Sequence, residues 1–389
     1  MKERKLFISM MVLSTAQIGM TIYIPSLPFM SKDLNVSSNN ISLIVSIYLL
    51  SLGFSEMICG PLSDYFGRRL IFFISQFLYL IGTLICICFS SNFIGIEVGR
   101  FIQGLGAGGG AVLCYAILRD SYTSSKLAKS ISYLTIIGTI LPILSPSLGS
   151  WIVNSYNWHA IFIFVFICIA FIFIISLIFL QETLTAKQTK VNILTLIHDY
   201  RFLFTNKNFL LCSFYTSFGY LLNIISVLLS PFILEEKLNI SLLNYGYIIM
   251  IPVVARALGS FVLISIQNVF SNTKIIYVSF LMTLSSGLLL IYLKLSILNF
   301  IFSLSLFNFG RGLSQPIFMT ELLNPFANKS GMATAVNGFF SLWLVALVAP
   351  FLMKHWIFES SQLGTFFSEI SLVFILIYSV DRWTNRAKN

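Results

Sequence analysis

Gly60-Pro61-Leu62-Ser63-Asp64-Tyr65-Phe66-Gly67-Arg68-Arg69 is a tight, charged turn set between two long apolar runs. Pro61 is expected to end one helix, and Gly67 to allow a reversal that only a residue without Cβ adopts cheaply. Asp64, Arg68 and Arg69 put charge of both signs at one membrane face. Over all 389 residues the chain is 57% hydrophobic and only 10% charged, a balance no ordinary soluble domain has. A helix needs about 20 mostly apolar residues to cross the hydrocarbon. Twelve such runs fall near 6–29, 41–62, 70–90, 94–118, 130–154, 159–180, 208–234, 243–268, 274–293, 296–320, 331–353 and 363–380. They use up nearly the whole chain, which predicts an all-α integral membrane fold.

A polar stretch, 181–207, carries Lys187, Lys190, His198, Asp199, Arg201 and Lys207 and divides the runs into an N-terminal six-helix bundle, 1–180, and a C-terminal one, 208–389. No segment is long enough for a soluble catalytic domain, and neither a phosphate-binding loop nor a His or Cys cluster with metal spacing is present. The expectation is a protein that is not an enzyme and takes no cofactor or metal, with any work drawn from an ion gradient.

The net charge of +10 does not imply a nucleic-acid partner, because of where the charges lie. With the N-terminus placed in the cytoplasm, seventeen Lys and Arg fall on that side, among them Lys2, Arg4, Lys5, Arg119, Lys126, Lys129, Lys274, Lys329, Arg382, Arg386 and Lys388. Only Lys32, Lys237, Lys294 and Lys354 fall on the other. This asymmetry predicts both termini in the cytoplasm, with the lipid bilayer as the main partner. Three arginines, Arg100, Arg256 and Arg311, lie inside spans. All six cysteines sit in apolar runs and read as small buried hydrophobes. The basic start followed by an apolar run is read as a retained first helix, since no small-residue cleavage site follows.

The turn at 60–69 resembles the loop between helices two and three of the major facilitator superfamily, roughly G-x-x-x-D-x-x-G-R-R. Further stretches are similar to the Bcr/CflA drug-resistance group within it. The first helix ends T-I-Y-I-P-S-L-P at 21–28, with Thr21 where the group usually has an Asp. Glu97 to Gly110 reads E-V-G-R-F-I-Q-G-L-G-A-G-G-G, with Arg100 and Gln103 at the positions of a signature whose arginine is associated with proton transfer. Gly138 to Ser150 reads G-T-I-L-P-I-L-S-P-S-L-G-S and resembles the antiporter signature, except that Ser145 and Ser150 stand where glycines are expected. Glu182-Thr183-Leu184 matches the close of the first half, and Gln315 to Val336 the join of helices ten and eleven. The resemblance implies two pseudo-symmetric six-helix bundles, a probable monomer, and alternating access in a bacterial inner membrane.

For the gate it implies Gly60, Asp64, Gly67, Arg68 and Arg69, with Gly138, Pro142, Pro146 and Gly149 bending helix five. A proton carrier must lie inside the membrane, and without the first-helix acid the candidates are Glu56, or Glu97 with Arg100 three residues on. Arg311 and Gln315 in helix ten echo Arg100 and Gln103 in helix four, as expected where a transporter builds a midplane site from repeats. Arg256 falls near the middle of helix eight, where a permanent cation is expensive without an anion. Glu321 is placed at the cytoplasmic end of helix ten and Glu369 near the outer half of helix twelve, so few acids are left for these arginines. Arg256, Arg311, Gln103, Gln315 and Tyr215 are therefore the candidate substrate contacts, in a pocket that Phe218, Tyr220, Phe307 and Phe309 can also line. The expected function is proton-coupled export of a small organic molecule, either drug-like or a carboxylate such as a siderophore. An importer of an anionic metabolite or siderophore on the same fold, or a membrane receptor or assembly factor that transports nothing, are the alternatives.

Overall fold

The computed structural model describes residues 2–122, 124–184, 203–356 and 359–386, so most of the polar stretch at 181–207 lies outside the described residues. Twelve long helices follow one another: α1 (Lys2–Thr21), α2 (Leu43–Phe66), α3 (Arg68–Cys88), α4 (Phe93–Ser121), α5 (Ser124–Ser155), α6 (His159–Phe179), α7 (Lys207–Pro231), α8 (Met250–Ile266), α9 (Asn272–Tyr292), α10 (Ile297–Leu323), α11 (Ser330–His355) and α12 (Ser360–Arg386). Among the described residues, eleven segments are long and apolar enough to cross a membrane. α10 has the length, 27 residues, but buries Ser303, Asn308, Arg311 and Ser314 along one face, which lowers its hydropathy. Exposed side chains such as Leu298, Phe261 and Ile178 cover the outside of the helices. Lipid is the solvent that tolerates such a surface.

Local chemistry sets the helix ends. The Asn92 side chain accepts from the amides of Ile94 and Gly95 to start α4, and Asn206 accepts from Phe209 N to start α7. Pro61 does not end α2, contrary to the expectation from sequence; the helix runs on to Phe66. Proline removes one backbone bond, and spanning helices absorb that loss readily. Gly67, at φ 109°, makes the actual break.

The described chain forms two compact units, 1–202 with 335–350, and 203–334 with 351–389. In the first, α4 packs against both α2 and α3. A methyl at Gly104 would meet Tyr48 O at 2.4 Å, so the α2 and α4 backbones nearly touch there. In the second unit α10 stands against α8 in the same way, and a methyl at Gly312 would meet Arg256 O at 2.2 Å. The repeat seen faintly in sequence is therefore a repeat of helix pairs, α2 with α4 and α8 with α10. Each pairing brings an arginine on one of its helices within reach of the other helix.

Candidate functional site

At the Gly67 turn, Arg68 is 2% exposed and surrounded by acceptors. It pairs with Asp64 on α2, with Asp120 on α4 through Nε at 2.9 Å, and with Ser63 Oγ at 2.5 Å. The Glu182 carboxylate accepts from Arg68 N at 3.1 Å and Arg69 N at 3.2 Å, so it sits on the N-terminus of α3, where an anion is favoured. Burial pushes its carboxyl up, but the amides of Leu184, Thr183, Arg69 and Arg68 outweigh that and hold it below the ordinary glutamate range. This cap is therefore present at neutral pH and is lost only as pH falls through that lowered value. Gly60 faces Val112, and Arg69 lies over the Phe73 ring at 5.6 Å. Asp64→Asn is expected to cut transport at least about tenfold, by removing one charge-assisted bond, while expression stays near wild type because Asp120 still holds Arg68. Wild-type rates in that variant would reduce the turn to a topological anchor.

Inside the first unit, Arg100 is 1% exposed and fully engaged by neutral groups. Its Nε donates to Ile44 O at 3.4 Å, Nη1 to Gly19 O at 3.0 Å and to Gln103 Oε1 at 2.5 Å, and Nη2 to Tyr23 Oη at 2.5 Å. The Tyr23 and Tyr48 rings flank it at 4.1 and 4.0 Å, in cation–π geometry. Gln103 completes the cluster by donating to Thr83 Oγ1 at 2.8 Å. Glu97 is half-buried and does not pair with Arg100. Two of the departures from the family pattern meet: Thr21 Oγ1 hydrogen-bonds Ser145 Oγ, joining α1 to α5. A hydroxyl pair thus stands beside the position where the group carries its acid. Nearby on α5, a methyl at Gly149 would meet Ile22 O at 1.8 Å, while Gly138 faces open space and Pro142 and Pro146 lie inside the unbroken helix.

Glu56 lies on α2, half-buried, with no hydrogen bond or ion pair among the described residues. Its Oε2 is 3.6 Å from where a methyl at Gly338 would stand on α11, and Gly53, one turn earlier, faces Leu342 and Trp343. With no side chain at Gly338, the α11 backbone lies directly beside the carboxylate.

In the second unit the α8–α10 contact sets two guanidinium groups on one acceptor. Arg256 Nη2 donates to Gln315 Oε1, and Arg311 Nη2 donates to the same oxygen at 3.4 Å. Arg311 is 6% exposed and its Nη1 has no partner. Neither arginine forms an ion pair with a carboxylate among the described residues: Glu321 pairs instead with Arg382 at 3.5 Å, and Glu369 is exposed on α12. Tyr215, 4% exposed, stacks on Phe318 at 4.8 Å and lines a small cavity together with Arg311. Phe280, Phe374 and Tyr378 close the ring cluster around it.

The Arg–Gln echo was visible in sequence, but its asymmetry was not. Each nitrogen of Arg100 has an acceptor, whereas Arg256 and Arg311 share one acceptor oxygen. Tyr23, Tyr48 and Thr83 were missed, since nothing in a single sequence ties them to Arg100. Glu182 is legible in sequence only as part of a matched pattern, without its contacts to Arg68 and Arg69.

The comparisons agree with this architecture. Residues 9–350 match the family model of the Major Facilitator Superfamily. The chain is similar to Multidrug resistance protein D of Escherichia coli (strain K12), 26% identical over 338 residues that cover 86% of this chain and 84% of the relative. It is 25% identical to Multidrug resistance protein MdtL of Klebsiella pneumoniae subsp. pneumoniae, over 85% of both chains. Among solved structures, the nucleoside transporter NupG superposes with a TM-score of 0.75 at 14% identity, covering 97% of this chain and 98% of that one, which speaks for the fold alone. A multi-pass helical chain with this turn, these paired helices and this match belongs to the major facilitator superfamily, a family of membrane transporters and not of enzymes.

Proposed function

We propose that this chain is a proton-coupled exporter of small organic anions in a bacterial inner membrane, acting as a monomer by alternating access between its two halves, with both termini in the cytoplasm. The observation that carries the substrate class is the pair Arg256 and Arg311 on a single Gln315 oxygen, with no acid among the described residues to balance them. A buried guanidinium without an anion is costly, and a substrate carboxylate supplies both the charge and the two-pronged geometry. A pump for lipophilic cations needs the opposite sign at this depth. The ring cluster of Tyr215, Phe280, Phe318 and Phe374 favours an acid with an apolar or aromatic body.

Glu56 is the carrier that the arrangement favours. A carboxylate at membrane depth costs several kcal/mol when charged and unpaired, so a proton on Glu56 in one state and off in another couples the gradient to the cycle. The outward direction is supported by the names of the multidrug-resistance relatives, and the orientation by the positive-inside asymmetry. The test compares a deletion strain with its parent. An organic acid is expected to accumulate inside the deletion strain and to fall in its medium, with sensitivity to ethidium unchanged. Raised ethidium sensitivity with unaltered organic acids overturns the anion reading.

A further inference from the structure

In the second unit α7 packs against α10, and the Arg311 side chain lies in that contact. A Cβ placed on Gly219 of α7 would stand 3.3 Å from Nε, 3.6 Å from Cζ and 3.7 Å from Nη2 of Arg311, the three heavy atoms nearest to it. One edge of the guanidinium is therefore seated on the bare backbone of α7. Glycine is unfavourable inside a helix, so its presence in α7 needs a reason. Other glycines of this unit have one in the backbone: methyls at Gly259, Gly312 and Gly364 would meet the carbonyl oxygens of Phe309, Arg256 and Gly287 at 2.2, 2.2 and 2.6 Å, which marks close helix crossings. At Gly219 the nearest competitor for the space is not a backbone but the Arg311 side chain.

The same stretch of α7 faces the rest of the site. Tyr220, next in the chain, interacts electrostatically with both Arg256 and Arg311. Gly219 lines one small cavity with Tyr215, Arg311 and Gln315. Arg311 reaches the shared Gln315 oxygen through Nη2, one of the atoms seated on Gly219. We infer that Gly219 is a positioning residue that sets the charge selectivity of the second unit: the empty place at 219 lets the Arg311 guanidinium stand beside that of Arg256, where the two together hold an organic anion. This rests on the anion reading of the site and adds to it the position that admits the second positive charge. A methyl 3.3 Å from Nε is tighter than side-chain carbons ordinarily come, so Ala pushes the guanidinium off its seat by a few tenths of an ångström. Val adds two carbons beyond that point and claims the place the guanidinium occupies.

The test compares purified full-length wild type with Gly219→Ala, Gly219→Val, Arg311→Ala and the double variant of Gly219→Val with Arg311→Ala. Citrate binding in chloride-free buffer and the thermal unfolding midpoint are measured for each. Gly219→Val is expected to weaken citrate binding more than about tenfold, the loss of one bond to a charged group, and Gly219→Ala to weaken it less. The midpoint falls in Gly219→Val as well. In the Arg311→Ala background the same substitution is expected to lower neither affinity nor midpoint, because no guanidinium is left to displace. Such non-additivity marks two residues in contact, whereas a merely structural role for Gly219 lowers both readouts equally in either background. Should Gly219→Val fail to fold, Gly219→Ala with and without Arg311 carries the same comparison. Equal losses with and without Arg311, or citrate binding that neither substitution at 219 changes, overturns the inference and leaves the anion reading standing. Absence of citrate binding in wild type overturns the anion reading and, with it, this role of Gly219.

Discussion

Replacing Arg256 or Arg311 by Ala is expected to bring transport of an organic anion down to background, while Lys at either position leaves a weak residue of activity. A hydrogen bond to a charged group is worth about 1.5–3 kcal/mol, a factor of roughly ten to more than a hundred in affinity, and Ala removes the whole guanidinium. Lys keeps the charge but loses the planar fork that grips both carboxylate oxygens, so a loss of about tenfold is expected there. Thermal stability separates this role from a structural one. Taking one partner out of a satisfied buried pair destabilises by about 3–5 kcal/mol. Arg311, with its free Nη1 and a shared acceptor, is not such a pair. The Arg311→Ala protein should therefore be no less stable than wild type, while Arg100→Ala, which dismantles a cluster with an acceptor on every nitrogen, should be clearly less stable. A large loss of stability in Arg311→Ala would mark the arginine as structural.

Glu56→Gln is expected to abolish accumulation of substrate against a gradient while sparing binding and exchange across the membrane. Gln has the shape of a protonated Glu and cannot release a proton, so the carrier is locked in one state. The case rests on Glu56 being half-buried, unpaired among the described residues, and set beside Gly338 of α11. Glu97→Gln should leave coupling intact. The measurement is counterflow against gradient-driven uptake in vesicles, for both variants side by side. If Glu56→Gln stays fully driven and Glu97→Gln does not, the carrier is in α4.

Hydropathy made the fold legible, because a lipid solvent imposes long apolar runs and little else. α10 was the instructive case: the same polar residues that depress its hydropathy, Arg311 and Ser314 among them, are the ones it turns inward. Pro61 misled, since the rule that proline breaks helices comes from soluble proteins, whereas in a spanning helix neighbouring helices and side chains re-satisfy the backbone group that proline frees. For the site, Arg100 and Gln103, three residues apart and read in sequence only as signature positions, touch each other in the structure. The same spacing put Glu97 and Arg100 on one face, yet the long arginine side chain reaches away to carbonyls on α1 and α2. Spacing along one helix does not decide which way such a side chain extends. Arg256 and Gln315, 59 residues apart, meet only because α8 and α10 approach at Gly312, a contact no single sequence reveals.

The central claim is that the second unit selects negative charge, and binding to purified protein in chloride-free buffer tests it most directly. Citrate as a carboxylate-rich probe and ethidium as a cationic dye are titrated into wild type and into Arg256→Ala. The predicted result is saturable citrate binding to wild type, weakened more than about tenfold in the variant, with no saturable ethidium binding to either. Tight ethidium binding that survives or improves in Arg256→Ala, with no response to citrate, would contradict it.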